Sequence, residues 1–227
     1  MIKNLVNLLF PSICHGCNTP LLTNEEVICS ACRHDLPFTN HHSVKNNETF
    51  KKFYGRLPVE HASSIVYFHK KGIVQQLIHN LKYKGAEEIG TLFGNLYYTE
   101  LNEIHLAEKF DAVIPVPLHK KRLRERGYNQ ATPFGTTLAK GLNIPFNDTL
   151  LIRKHYSKTQ TKKNLLGRTE IDTTLFEANF SENDCGKHFL LVDDVITSGA
   201  TLEACGKALL KIPNAKVSII TIAFAHS

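Results

Sequence analysis

Five short apolar runs, separated by longer stretches of helical spacing, set the strongest limit on the fold of this chain. They are "SSIVYF" (63–68), "FDAVIPV" (110–116), "TLLIRK" (149–154), "KHFLLVD" (187–193) and "AKVSIITIAFA" (215–225). Runs of this kind lack the strict alternation of a strand with one wet face. A strand apolar on both faces must be covered on both, which is the condition of a parallel sheet between helices. The intervening segments "GIVQQLIHNLKY" (72–83), "IGTLFGNLYYTELNEI" (89–104), "NQATPFGTTLAKGL" (129–142) and "ATLEACGKALLK" (200–211) have helical spacing. Pro133 is compatible with one of them if it stands in the first turn. The alternation predicts βαβ units: an α/β domain with a central, mostly parallel sheet flanked by helices.

The 227 residues, 42% hydrophobic and 21% charged, suffice for one such domain and a small module, and match a soluble globular chain. No apolar run reaches the roughly 18–20 residues of a membrane span, so no membrane insertion is expected. The opening "MIKNLVNLLF" is short and leads into Pro11 and Cys14 without a small-residue cleavage site. It reads as a short amphipathic helix rather than a signal peptide, and the expected compartment is the cytoplasm. After Pro37 the stretch "FTNHHSVKNNETFKK" is polar and without apolar period, hence a linker. The expected organisation is therefore 1–38, a helix and cysteine module; 39–58, a linker; and 59–227, the α/β domain.

Four of the six cysteines form two C-x2-C knuckles, Cys14/Cys17 and Cys29/Cys32. Each knuckle lets two thiolates grip one ion, and two knuckles complete the tetrahedral sulfur shell that structural zinc prefers. Paired disulfides are the weaker account in a reducing compartment. His15 and His34 flank the knuckles, but four cysteines already fill the shell. A closed shell has no open coordination position, so this zinc is structural, and it stabilises a segment too small to fold on a core of its own.

In "LLVDDVITSGAT" (190–201) an apolar strand runs into two adjacent acids and then a small polar turn that opens a helix. Carboxylates are costly to bury, but ligands bind at the carboxyl ends of parallel strands, which puts Asp193 and Asp194 at the rim. Thr197, Ser198, Gly199, Ala200 and Thr201 then offer amides and hydroxyls at a helix N-terminus, a site for an anion. Acids for a vicinal diol beside amides for a phosphate describe a ribose 5-phosphate pocket. An ordinary helix cap accounts for the turn but leaves the acid pair unexplained. The net charge of +6 is concentrated in "HKKRLRERGY" (119–128), with five Lys or Arg against one Glu, and in 153–168, with six and no acid. Two such runs in one domain suit a polyanion or phosphate.

"LLVDDVITSGAT" resembles the signature by which type I phosphoribosyltransferases bind 5-phosphoribosyl 1-diphosphate (PRPP). Together with "LVNLLFPSICHGC…CSAC", "IPVPLHKKRLRERGYNQA" and the segment 153–168, it makes nearly the whole chain similar to the ComF family, competence-associated phosphoribosyltransferase-like proteins with an N-terminal zinc ribbon. The resemblance implies a type I phosphoribosyltransferase fold behind a small zinc ribbon. It implies that Asp193 and Asp194 hold the ribose hydroxyls and that Thr197 to Thr201 hold the 5-phosphate. Backbone groups of Val116, Pro117 and Leu118 are implied to approach the diphosphate. Arg122, Arg126, Gly127, Asn129 and Gln130 match a basic element, and Arg153, Gln160 and Arg168 a mobile loop that closes over substrate, so that Asp193, Asp194 and Arg168 are the catalytic candidates. Around Lys158, Thr159 and Ile171 the loop departs from the family's pattern.

The implied activity is Mg²⁺-dependent transfer of ribose 5-phosphate from PRPP to an unidentified acceptor, linked to DNA uptake. Its acceptor-binding hood has to come from residues 59–106 or is missing. The alternative is a non-enzymatic protein that binds PRPP, a nucleotide or single-stranded DNA, partnering DNA-uptake proteins, with Tyr83, Tyr128 and Tyr156 as stacking candidates. The cysteine spacing carries its own prediction: metal analysis of the purified protein returns one zinc per chain, whereas no zinc and two disulfides overturn the assignment.

Overall fold

A computed structural model describes residues 11–154 and 175–226. The opening helix expected over residues 1–10 lies outside the described residues, as do Tyr156, Lys158, Thr159, Gln160, Arg168 and Ile171.

Four strands form one parallel sheet: β1 (His61–Phe68), β2 (Ala112–Pro115), β5 (His188–Ile196) and β6 (Lys216–Ala225), in the order β1-β6-β5-β2. The run at 149–154 is not in it. Its core, β3 (Leu151–Arg153), pairs antiparallel with β4 (Phe176–Ala178) as a separate ribbon. Beyond β2, the sheet's edge receives a single parallel bridge, Val113 to Phe146.

Side chains alternate across a strand, and the two sides of β5 show it: Leu190 and Val192 join one apolar cluster, Phe189 and Leu191 the other. The first cluster is closed by α3 (Ile73–Tyr83), α4 (Glu88–Glu103) and α6 (Ala131–Gly141), and the second by α7 (Ala200–Leu209) and the β3–β4 ribbon. Pro133 stands in the first turn of α6. The helices α4 and α6 pack very closely at Gly94, where an added Cβ would lie 2.6 Å from Thr137 Cβ.

Among the described residues two short α-helices precede the sheet, α1 (Ser30–His34) in the cysteine module and α2 (Glu48–Lys51), and α5 (Lys120–Arg126) follows β2. The segment expected as a linker packs on the domain: Phe53 and Leu57 are buried in the second cluster, and Asn47 is buried with its side-chain amide donating to Ala62 O at 2.8 Å. The cysteine module is seated as firmly on the first cluster. Cys14, Ile28, Cys32 and Leu36 are buried there with Leu77 and Ile89, and Asn80 Nδ2 donates to His15 O at 2.9 Å. Among the described residues no helix is long and apolar enough to cross a membrane.

Several histidines are enclosed around the sheet. His61 Nε2 pairs with Ser63 Oγ and His188 Nε2 with Ser218 Oγ, both at 2.8 Å, while His41 Nδ1 pairs with Thr49 Oγ1 at 2.9 Å. Burial lowers the pKa of all three, that of His61 to about 4. A base whose folded pKa is depressed stays neutral in the fold while the unfolded chain takes up a proton, so stability falls as pH drops from about 6.5 toward 4. Replacing His61 by Gln removes its share, of order 1–3 kcal/mol by pH 4. Chemical denaturation between pH 7 and 4 is expected to show a shallower acid loss in His61→Gln than in wild type.

Candidate functional site

The strand β5 does not stop at the acids. Its ladder with β6 continues through Asp193 to Ile196, because β6 runs on to Ala225 and keeps offering partners. Asp193 and Asp194 are thus the sixth and seventh residues of a nine-residue strand rather than the residues after it, as the sequence suggested. The strand β2 ends at Pro115, so the acids still open onto the sheet's C-terminal rim. Asp194 N–H donates to Asp193 Oδ1 at 2.8 Å. Asp194 Oδ2 is buried and accepts no well-directed hydrogen bond, but Lys82 Nζ lies 3.1 Å from it. Burial first, and the neighbouring Asp194 second, push the Asp193 carboxyl up to about 8. Two adjacent carboxylates in little water cannot both ionise cheaply.

These acids border a cavity of about 450 Å³. Val116, Pro117, Leu118, Arg122, Arg126, Gln130, Arg153, Thr197 and Thr201 also line it, so most of the residues singled out in the sequence converge on one space. Ser198, Gly199 and Ala200 complete the turn beside it without lining it.

Each element has a local reason for its course. Gly199 caps α7 in the left-handed region, φ 77°, where any side chain is strained, and an added Cβ would meet Phe53 at 3.4 Å. The turn is also held from below: Arg56 donates to Ser198 O at 2.8 Å and to Glu203 Oε2 at 2.9 Å. The strand β2 hands over to the 116–118 segment through Val116 N–H to Val192 O, 2.9 Å, and Asn129 Nδ2 pins Val116 O at 3.0 Å. His119 caps α5, its Nδ1 accepting from Lys121 N–H at 3.1 Å, and Gly127 ends that helix at φ 80°. No residue of α5 is buried.

Arg126 donates to Gln130 Oε1 at 2.7 Å and stacks over Tyr83 at 5.2 Å. Arg153 lies over Phe176 at 5.3 Å, its Nε buried without a partner. Burial, then Arg122, lowers its pKa. Tyr128 is tied down by its hydroxyl, which donates to Leu81 O, and packs on the core, while Tyr83 is exposed at the rim.

The far wall is made by Phe68, Gln75, Ile78, His79 and Lys82, which are absent from the sequence-based set, together with Tyr83, which the sequence offered as a stacking candidate. All fall in the segment from which a hood was expected. Gln75, His79 and Lys82 recur on one side of α3, a polar stripe that is a usable signal on a helix otherwise buried through Val74, Leu77, Ile78 and Leu81.

The other face of α3 carries the cysteine module. The four Sγ atoms lie within 4.8 Å of one another, and Cys17 Sγ and Cys29 Sγ are 3.7 Å apart. Thiolates about 2.3 Å from a tetrahedral zinc are separated by about 3.8 Å. N–H groups of Gly16 and Cys29 point at Cys14 Sγ (3.3 and 3.2 Å), as Cys32 N–H does at Cys29 Sγ (3.4 Å). All four cysteines are unpaired, and the donor set fits a closed zinc site. His15 is engaged elsewhere, on Glu88 at 2.8 Å. Among the described residues, the carboxylates lining the pocket are those of Asp193 and Asp194.

Comparison with known proteins agrees with this geometry. Residues 129–227 match the family described as phosphoribosyl transferase domain. Competence protein F of Haemophilus influenzae is 26% identical over 220 residues, covering 94% of this chain and 90% of that one. Competence protein ComFC of Bacillus subtilis is 27% identical over 213 residues, covering 92% and 83%. Among solved structures, adenine phosphoribosyltransferase from Leishmania tarentolae aligns with a TM-score of 0.40 at 13% identity, covering 84% and 94%. The fold is that of type I phosphoribosyltransferases, a parallel sheet flanked by helices, behind four clustered cysteines that fit a zinc ribbon.

Asp193 gives a stability prediction. An acid whose folded pKa is raised binds its proton more tightly in the fold, so stability falls as pH rises from about 4 to about 8. Asp193→Asn keeps an oxygen for the Asp194 N–H and loses the charge. It is expected to be more stable than wild type by roughly 1–3 kcal/mol at pH 8 and by little at pH 4, as read by thermal unfolding at both pH values.

Proposed function

We propose that this protein binds PRPP with Mg²⁺ at the rim of its sheet and transfers ribose 5-phosphate to an acceptor, releasing diphosphate. The observation that carries the reading is one cavity bordered by two adjacent acids, a helix-capping turn and three arginines. Asp193 and Asp194 accept hydrogen bonds from the ribose hydroxyls. The turn from Thr197 to Thr201 takes the 5-phosphate on amides and hydroxyls at the N-terminus of α7. Backbone groups of Val116, Pro117 and Leu118, with Arg122, Arg126 and Arg153, face the diphosphate. In the transfer, the bond from the anomeric carbon to the diphosphate oxygen breaks with its electron pair. A bond to the acceptor forms, and the acceptor's proton passes to solvent.

Positive charge develops on the sugar and negative charge on the leaving group, so the acids and the arginines stabilise opposite ends of one transition state. Mg²⁺ bound to the diphosphate adds to the second effect. Gln160 and Arg168 complete the set as residues that close over substrate. The cysteine module (1–38) with structural zinc, the connection (39–58) and the phosphoribosyltransferase-like domain (59–227) are the working parts of a cytoplasmic protein linked to DNA uptake; two of its relatives are named competence proteins.

A second reading is favoured by α5, which exposes Lys120, Lys121, Arg124 and Leu123 beside the cavity and buries nothing. It is binding without transfer, of PRPP, a nucleotide or single-stranded DNA, with DNA-uptake proteins as partners.

Calorimetry tests sugar-phosphate binding, and a release assay then separates transfer from binding alone. Wild type is expected to bind PRPP in the presence of Mg²⁺, and the double substitution Asp193→Asn plus Asp194→Asn to weaken binding at least 100-fold. No binding by the intact protein overturns the sugar-phosphate reading. A screen of nucleobases, amines and nucleic-acid ends for diphosphate release then identifies the acceptor, and release with none of them leaves binding alone.

A further inference from the structure

We infer that Lys82 is a positioning residue for the acid pair: its ammonium is the counter-charge on the buried Asp194 oxygen, the atom that a ligand hydroxyl would otherwise reach. The two groups come from opposite sides of the cavity. Asp194 is fixed within β5, its side chain only 5% exposed, and Lys82 reaches it from the last turn of α3 with 22% of its own side chain exposed. The contact is 3.1 Å, and Oδ2 has no directional hydrogen bond. A carboxylate oxygen in that condition is stable only beside a cation.

Lys82 is delivered there by packing. Val74, Leu77, Ile78 and Leu81 are buried in the cluster on this face of the sheet, and the Tyr128 hydroxyl bonds Leu81 O, so the backbone just before Lys82 has little freedom. The carbonyl end of a helix also favours a cation.

The other groups facing the acids do not replace it. Arg126 of α5 bears on Asp193, but its guanidinium is engaged by Gln130 and Tyr83. Tyr128, beyond it, bears on Asp194, and Cys205 of α7 lies beneath Asp193, buried; neither supplies positive charge. Lys82 therefore balances one acid while the pair's remaining proton settles on the other, which leaves Asp194 aimed into the cavity as an acceptor. A sugar diol takes over the lone pair that Lys82 holds and frees the ammonium to face the ligand's phosphate oxygens.

The first experiment needs no ligand. Thermal unfolding of the zinc-loaded full chain is compared for wild type, Lys82→Met, Asp194→Asn and the double variant at pH 5.5 and 8.5. Lys82→Met is expected to lower the midpoint by several degrees more at pH 8.5, where the pair carries more charge, than at pH 5.5. That excess disappears in the Asp194→Asn background, and Lys82→Arg restores wild-type behaviour. Should Lys82→Met fail to fold, Lys82→Gln takes its place. An equal loss at both pH values, or one undiminished by Asp194→Asn, makes Lys82 a packing residue and overturns the inference.

The second experiment rests on the PRPP reading. Lys82→Met is expected to weaken Mg-PRPP binding at least tenfold at pH 6.5 and less at pH 8.5, with rescue by Lys82→Arg. A loss that is the same at both pH values counts against the inference. Absence of PRPP binding in wild type defeats the PRPP reading, while the ligand-free cycle still decides the role of Lys82.

Discussion

The ladder between β5 and β6 is the constraint on which the rest of the structure rests. It pairs His188 with Lys216 at one end and Ile196 with Phe224 at the other, and both its faces are covered. A parallel ladder covered on both faces has no wet side on which to place charge, so any polar residue within it needs a partner brought from elsewhere. Ser218 is matched by His188, Thr221 by Ser64, and Asp194 by Lys82. The cavity lies where this matching is least complete.

Incomplete matching is a cost in the ligand-free chain. Asp193 is held away from its ordinary ionisation by burial and by its neighbour, and Arg153 has a buried Nε without an acceptor. The two imbalances are of opposite sign and border one cavity. On the proposed reading, a ligand with hydroxyls at one end and phosphates at the other would resolve both, and the cost of the mismatch would be returned as binding energy.

The alternation of strands and helices was legible because continuous apolar runs admit few other readings. What was not legible has physical causes. The acids looked like the end of β5 because charge usually ends a buried strand, and only the length of β6 shows that the ladder goes on. Residues 39–58 looked like a linker because Lys, Asn and His dilute them, yet Phe53 and Leu57 are buried, Phe53 beneath Gly199 and Leu57 against Gly206. The helix α5 has no apolar period because none of its residues is buried. Lys82 was missed because its partner is distant in the chain, and no local pattern marks a cation destined for a buried acid. The acid pair, the arginines and the capping turn were each visible, since each is a compact motif.

The position of β1 against β6 also has a kinetic side. His61 pairs with Ser218, which is 218 − 61 = 157 residues farther along the chain. The entropy of closing so long a loop is met before the contact returns anything, and topologies dominated by such pairings fold slowly. Until β6 arrives, β1 and β5 lack the neighbour that joins them, and their apolar edges are open to other chains. The cysteine module, by contrast, closes over short separations and docks on α3 and α4, which follow β1 directly. Metal capture can therefore organise the first part of the chain early and shield part of its apolar surface during the wait for the last strand, so zinc supply is expected to govern the yield of folded protein as well as its final stability.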